Sequence, residues 1–120
     1  LGIGTILSVA VETAELLESE GISTAVISMP TLKPLDQDFL EKGFLKYDLV
    51  ATVEEHSIHG GLGGSVAEWL ADHPQADARL MRFGTADEFL HETVNQEGAR
   101  EYFGLTAKAI AQKVRKVLLK

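Results

Sequence analysis

The chain has 120 residues, no cysteine, and a formal net charge of −7 from 11 basic and 18 acidic side chains. A chain of this size forms one domain that buries roughly two thirds of its unfolded surface. The lack of cysteine excludes disulfides and thiolate chemistry, and the acidic balance argues against nucleic acid or an anionic membrane as a partner. No segment resembles a signal peptide or a membrane span, which predicts a soluble, cytoplasmic protein.

The spacing of apolar residues predicts alternating strands and helices through the first half of the chain. The opening LGIG segment resembles the tail of a strand and has no initiator Met, so we expect a fragment of a longer protein or a separate subunit. Thr5 is the predicted N-cap of the first helix, and Gly21 is its predicted C′ residue. The next predicted elements are a strand over Ser23–Ser28, a short helix capped by Asp36 and ending at Leu40, and a strand over Asp48–Val53.

The second half continues the same alternation. A helix with Leu62 and Val66 on its apolar stripe should stop near Pro74. The remaining predictions are a strand over Ala78–Phe83 ended by Gly84, a short helix around Glu97–Phe103, and a last helix capped by Thr106 that runs through Leu119. Strands that alternate with helices in this way predict an α/β fold with a mainly parallel sheet of about four strands and helices on both faces.

The run VATVEEHSIHGGLGGSVAEWL is the most promising part of the chain for function. Glu54 and Glu55 are predicted at the carboxyl end of a strand, the edge where α/β sheets collect ligands. A glycine-rich turn into a helix suits a phosphate or carboxylate, because unpaired N–H groups and the helix dipole both favour negative charge. The glycines of this turn are Gly60, Gly61, Gly63 and Gly64.

Two features weaken the nucleotide hypothesis. The segment Gly61–Val66 reads G-x-G-x-x-V rather than G-x-G-x-x-G, and no Lys-Ser or Lys-Thr pair follows it. Paired carboxylates would also repel a phosphate, unless strand alternation directs Glu54 and Glu55 to opposite faces. The glycines are equally well explained by a tight turn and close packing of helix on strand. Both explanations stay open at this point.

The histidines offer two further hypotheses. His56 and His59 lie in a glycine loop rather than on one helical face, which does not favour a catalytic metal site. Glu55 and His56 have the chemistry of an acid/base pair, but no nucleophile is indicated beside them. His73 and His91 are predicted at the surface or as caps, and the aromatic residues are predicted in the core or an interface: Trp69, Phe83, Phe89, Tyr102 and Phe103.

Four segments together resemble the C-terminal domain of the transketolase family. They are TAELLESEGISTAVISMPTLKPLD, DLVATVEEHSIHGGLGGSVAEWL, RFGTADEFLHE and EYFGLTAKAIAQKV, and they cover nearly the whole chain. The same domain closes deoxyxylulose-phosphate synthases and the beta chains of 2-oxo acid dehydrogenases. The resemblance implies that residues 1–120 form one three-layer α/β/α domain with a mainly parallel sheet, and that an antiparallel edge strand normally precedes Leu1.

The resemblance also implies a function for the whole enzyme. In this family thiamine diphosphate and magnesium lie between a pyrophosphate-binding and a pyrimidine-binding domain, so no cofactor or metal is expected in this chain. The reaction implied is transfer of a two-carbon ketol unit between sugar phosphates, as in the pentose phosphate pathway, with this domain inactive alone and contributing to homo-oligomer (for example dimer) contacts.

The resemblance implies no catalytic role for the residues that match the family motif. They are expected at an interdomain or anion contact: Glu54, Glu55, His56, Gly60, Gly61, Gly63 and Gly64. The segments GTADEFLHE and REYFGLTAKAIAQKV are closer to transketolase and synthase members than to dehydrogenase beta chains. The alternatives are the C-terminal domain of a deoxyxylulose-phosphate synthase or of a dehydrogenase beta chain, a docking or assembly module, and an independent binder of small anions.

Overall fold

A computed structural model of the chain describes residues 1–88, 90 and 94–119. The predictions for Phe89 and His91 therefore lie outside the described residues. Within the described ranges, no helix combines the length and the apolar character needed to cross a membrane. After a 3₁₀ turn at Gly4–Ile6, the elements are α1 (Leu7–Ser19), α2 (Gln37–Lys46), β1 (Leu49–Ser57), α3 (Leu62–Ala71), β2 (Arg79–Thr85), α4 (Gln96–Tyr102) and α5 (Ala107–Leu118).

The sheet is smaller than predicted. Strands β1 and β2 form a parallel pair, and the prediction of about four strands is wrong for the described residues. Two isolated bridges lie beside this pair, because Gly2 pairs in parallel with both Ser28 and Val53. The prediction of a strand over Ser23–Ser28 is therefore wrong, because Gly2 pairs only with its last residue and no continuous ladder forms.

Helices cover both faces of the sheet, as predicted. Side chains alternate along a strand, so Val53 and Phe83 pack with α1 and α5 on one face. Val50 and Leu80 pack with α2 and α3 on the other face. The fold is therefore a three-layer α/β/α arrangement with two separate apolar cores.

Local capping signals placed several helix ends correctly. Gly21 has φ +82° and follows α1, where its N–H donates to the Glu18 carbonyl and the Ile22 N–H donates to the Leu17 carbonyl. This pair of bonds is the Schellman motif. Thr106 caps α5 by accepting a hydrogen bond from the Ala109 N–H at 3.3 Å.

Two other predictions about helix ends are wrong. Thr5 does not cap α1, because its hydroxyl donates to Glu55 instead. Asp36 does cap α2 by accepting from the Phe39 N–H at 3.0 Å, but the helix continues to Lys46 rather than ending at Leu40.

Both strands also run further than predicted. The first continues to Ser57 rather than ending at Val53, so Glu54 and Glu55 lie within β1. Gly84 lies within β2 rather than ending it, where a Cβ would come within 2.8 Å of the His56 carbonyl oxygen. The glycine lets the final part of β2 lie close to the final part of β1.

Candidate functional site

Glu54 joins the carboxyl end of β1 to the start of α3. One carboxylate oxygen accepts from the Leu62 N–H at 2.9 Å, and the other accepts from the Gly63 N–H at 2.7 Å. The side chain is only 2 % exposed. A carboxylate at this position satisfies two backbone donors that the helix itself leaves unpaired, and its charge is favourable beside the positive end of the helix dipole. The chain's own carboxylate thus occupies the place where an external anion would bind.

The glycines of the motif make room for this carboxylate. A Cβ on Gly61 would lie 1.8 Å from the Glu54 Oε1 atom, which no rearrangement of a buried side chain could easily accommodate. A Cβ on Gly63 would lie 2.8 Å from the Thr52 hydroxyl and 3.1 Å from Glu54 Oε2. The Glu54 carboxylate bonded to the Leu62 and Gly63 N–H groups is called the internal cap. Glycine at positions 61 and 63 leaves the space that this cap needs.

The other two glycines have different roles. Gly60 has φ +75°, a left-handed conformation that glycine adopts at little cost. A Cβ on Gly64 would meet the Ile58 carbonyl oxygen at 3.6 Å, an ordinary van der Waals distance. The GGLGG run thus holds one turn residue, two residues that make room for Glu54, and one position that tolerates a side chain.

Glu55 faces away from Glu54 and holds a different set of elements together. Its carboxylate is paired with Arg100 of α4 and accepts hydrogen bonds from the Gln96 side chain at 2.9 Å and the Thr5 hydroxyl at 3.1 Å. The hydrogen bond from Arg100 is the main reason why the pKa of Glu55 lies below its ordinary value of 4.5. We call Glu55, Arg100, Gln96 and Thr5 the Glu55 cluster.

The structure does not bring Glu55 and His56 together as an acid/base pair. The His56 side chain is 62 % exposed, with Nδ1 2.9 Å from the Ser57 carbonyl oxygen and 3.9 Å from Glu54 Oε1. His59 is also exposed, and its backbone N–H donates to the Ser57 hydroxyl. Among the described residues, no group of three His, Asp or Glu side chains is placed to hold a metal ion.

Several residues at this edge carried no signal in the sequence. Arg100 lies 45 positions from Glu55, so no local pattern links them. Arg82 donates to the Ile58 carbonyl at 3.3 Å and packs beside Gly63. Thr52 is fully buried on the same face of β1 as Glu54. Its burial follows from strand alternation, because every second residue after Val50 faces the same side.

The third histidine along the chain is a packing residue. His73 is half-buried at the end of α3, and its ring stacks on Trp69 with centroids 4.1 Å apart. Its Nδ1 atom also lies 2.6 Å from the Trp69 carbonyl oxygen. This histidine therefore sits away from the Glu54 motif and belongs to the α3 side of the fold.

Comparison with known proteins places this architecture in a family. The family described as "Transketolase, C-terminal domain" matches residues 1–110. This chain belongs to the transketolase C-terminal domain family. A solved structure titled "Split gene transketolase, inactive beta4 tetramer" matches with a TM-score of 0.86 and 36 % identity, over 98 % of this chain and 38 % of that one.

Curated relatives of this transketolase C-terminal domain come from two groups. The "Putative transketolase C-terminal section" of Methanocaldococcus jannaschii is 38 % identical over 105 residues, which is 88 % of this chain and 32 % of that protein. The "1-deoxy-D-xylulose-5-phosphate synthase" of Chlorobium luteolum is 39 % identical over 113 residues, 94 % of this chain and 18 % of that protein. The chain thus spans a third or less of the length of these relatives.

Proposed function

We propose that this chain is the C-terminal domain or subunit of a transketolase-like enzyme that transfers a two-carbon ketol unit between sugar phosphates. Its part in that enzyme is assembly rather than cofactor binding. Family membership and the similarity to a transketolase C-terminal section support the enzyme class. The observation that carries the assembly role is the pair of hydrogen bonds to Glu54. Its carboxylate lies at the start of α3, where the phosphate of a cofactor would otherwise bind.

The Glu54 motif does not fit thiamine diphosphate and its magnesium. A diphosphate needs free N–H donors or basic side chains, and the Leu62 and Gly63 donors are already bonded to Glu54. Magnesium needs oxygen ligands that converge on one point, and the described part of the chain holds no such group of three acids or histidines. We therefore assign the cofactor to the pyrophosphate- and pyrimidine-binding domains.

Two observations support a role in oligomer contacts. Large apolar side chains are exposed at the end of α4, where Tyr102 is 59 % exposed, and directly after α5, where Leu119 is 71 % exposed. The solved split-gene relative is described as an inactive tetramer. By analogy, this chain alone is inactive and takes part in a homo-oligomer within the full enzyme.

Reconstitution tests this function. The chain is co-purified with a pyrophosphate- and pyrimidine-domain chain and given thiamine diphosphate, magnesium, a ketose phosphate donor and an aldose phosphate acceptor. We expect ketol transfer by the assembly and none by the chain alone. An assembly that forms and binds the cofactor without ketol transfer would refute the transketolase assignment, and micromolar binding of thiamine diphosphate to the chain alone would refute the assembly role.

A deoxyxylulose-phosphate synthase is the second candidate. The similarity to the Chlorobium luteolum synthase is as high as that to the transketolase section and covers slightly more of this chain. The same reconstituted assembly separates the two candidates by product. The deoxy product needs an acyl donor rather than a ketol donor, so the assembly is also given pyruvate together with glyceraldehyde 3-phosphate. Formation of 1-deoxy-D-xylulose 5-phosphate with release of CO₂, and no ketol transfer, would identify the synthase.

A further inference from the structure

Helices α1 and α5 form the outer layer on one face of the sheet. Leu17 of α1 and Val114 of α5 belong to the same apolar core. Arg115 of α5 donates a hydrogen bond of 2.7 Å to the carboxylate of Glu20, which directly follows α1. The two helices therefore lie side by side, and their outer surfaces form one continuous surface that we call the α1/α5 face.

The charges of the α1/α5 face are separated by helix. Helix α1 carries acidic side chains and no basic one, whereas α5 carries basic side chains and no acidic one. The acidic residues are Glu12, Glu15 and Glu18, and the basic residues are Lys108, Lys113, Arg115 and Lys116. One half of the face is therefore negative and the other half is positive.

Helical spacing directs these charges away from the core. The buried residues of each helix lie on one stripe, and the exposed residues follow helical spacing on the opposite stripe. The exposed stripe of α1 consists of Ser8, Glu12, Glu15 and Ser19, and that of α5 consists of Lys108, Gln112 and Lys116. Both stripes therefore present charged and polar groups to a partner.

Most of these charges are not neutralised within the chain. The ion pair of Arg115 joins the two halves of the face at one end. In the part of the chain that the structure describes, Glu12 and Glu15 form no ion pair, and the same is true of Lys108 and Lys116. These four outward charges remain available to a second molecule.

A surface with one negative and one positive half is complementary to its own copy. A two-fold axis that lies in the plane of contact, along the boundary between the helices, places α1 of each copy on α5 of the other. Each acidic stripe then meets a basic stripe. A partner of a single charge sign would be attracted by one half of the face and repelled by the other, so a second copy is the better match.

The size of the face sets the strength of such a contact. Helices of 13 and 12 residues are each about 20 Å long and about 10 Å wide, so the face measures about 400 Å². A standard interface buries about 800 Å² per partner. Val11 of α1 is 44 % exposed and Leu119 after α5 is 71 % exposed, which adds some apolar area. We therefore expect a weak contact whose specificity comes from charge.

We propose that the α1/α5 face is a self-complementary surface through which two copies of this chain pair, with α1 of each copy on α5 of the other. This inference specifies a contact surface of the homo-oligomer in the proposed function, and it rests on that function. Pairing of the chains and ketol transfer are separate measurements, so the failure of one is distinguishable from the failure of the other.

Charge reversal of each half tests the pairing. The acid-reversed form carries Glu12→Lys and Glu15→Lys, and the base-reversed form carries Lys108→Glu and Lys116→Glu. Circular dichroism first checks that each form keeps the helix content of the unmodified chain. Sedimentation velocity at about 0.15 M salt then gives the dimer dissociation constant of the unmodified chain, of each form alone and of their equimolar mixture.

We expect each reversed form alone to pair about tenfold more weakly or worse than the unmodified chain, because like charges then face each other. The mixture should pair within about threefold of the unmodified chain, since every acidic stripe again meets a basic stripe.

A control form separates local pairing from net charge. Glu41→Lys and Glu68→Lys change exposed residues of α2 and α3 on the other face of the sheet. The control makes the same change in net charge as the acid-reversed form, and it should pair at least as well as the unmodified chain.

Equal association of the control and acid-reversed forms would overturn the proposal, and so would a mixture that pairs no better than its components. An unmodified chain that stays monomeric up to millimolar concentration would also overturn it, and the reconstitution assay would still test the enzyme class.

Discussion

The two ends of β1 lie in different environments, one polar and one apolar. At the carboxyl end, Glu54 accepts hydrogen bonds from the first N–H groups of α3, and the Glu55 cluster joins β1 to α4. Both carboxylates are therefore bonded within the chain. At the amino end, apolar side chains of α1, α2 and α5 line a cavity of about 540 Å³ between the segment Ala25–Ile27 and Leu49–Ala51 of β1. The conspicuous motif therefore marks the closed end, where the polar groups are bonded, and the apolar end carries no conspicuous motif.

The largest effect is expected from Gly61→Ala. The new methyl group would stand 1.8 Å from the Glu54 carboxylate, so either the cap or the turn must move, and we expect a loss of about 4 kcal/mol in the free energy of unfolding. Gly64→Ala is the matched control, because its methyl group meets only an ordinary contact. That variant should be neutral or up to about 1 kcal/mol more stable, since alanine is the better helix former. Urea unfolding of both variants gives the comparison, and equal effects would refute the steric role of Gly61.

Glu54→Gln tests the charge of the internal cap. The amide keeps the shape but offers one acceptor where the helix presents two donors, so we expect a loss of about 3 kcal/mol in the free energy of unfolding. Glu68→Gln changes an exposed residue of the same helix and should have almost no effect. A Glu54→Gln protein as stable as its control would show that the closed end does not depend on the carboxylate.

At the apolar end of β1, the Leu1 ammonium predicts a pH dependence of the free energy of unfolding. Its pKa is about 6 in the folded chain against an ordinary value of 8.0, so the unfolded state binds more protons between these values. The free energy of unfolding should therefore rise from pH 6 to pH 8, by about 2 to 3 kcal/mol from this group. Acetylation of the amino group should remove that part of the rise in urea unfolding at the two pH values. An identical pH profile after acetylation would contradict the burial of the ammonium.

The smallest change in the free energy of unfolding is expected from a substitution in the Glu55 cluster. The pKa of Glu55 is below 4.5 when folded, so its contribution is present above pH 4.5 and is lost as the pH falls through the folded-state pKa. Because the side chain is a quarter exposed, Glu55→Gln should cost less than about 1 kcal/mol at pH 7. Glu101→Gln on the exposed surface of α4 is the control. A loss as large as that of Glu54→Gln would remove the distinction between the two acids.

The sequence predicted the features that depend on neighbouring residues. Gly21, Asp36 and Thr106 were placed correctly because each helix end is decided within a few positions. Thr5 was placed incorrectly because its hydroxyl bonds to a residue 50 positions away. The end of β1 was misplaced for the same reason, since Glu54 is buried only by virtue of α3.

The sheet shows the same limit on a larger scale. The apolar, β-branched composition of Ser23–Ser28 predicts a strand, but only Ser28 forms a bridge. A regular strand also needs a partner along its whole length, and among the described residues only Gly2 pairs with this segment. Strand formation at this edge therefore depends on pairing between distant segments, which no local pattern could reveal.

The most direct test of the closed end is a titration followed by the amide resonances of Leu62 and Gly63. Inorganic phosphate and then thiamine diphosphate are added to the chain up to millimolar concentration. Since Glu54 already accepts hydrogen bonds from both amides, we predict that neither resonance moves in a saturable way. A saturable shift of these two amides with either ligand would show that the motif binds an external anion and would contradict the internal cap.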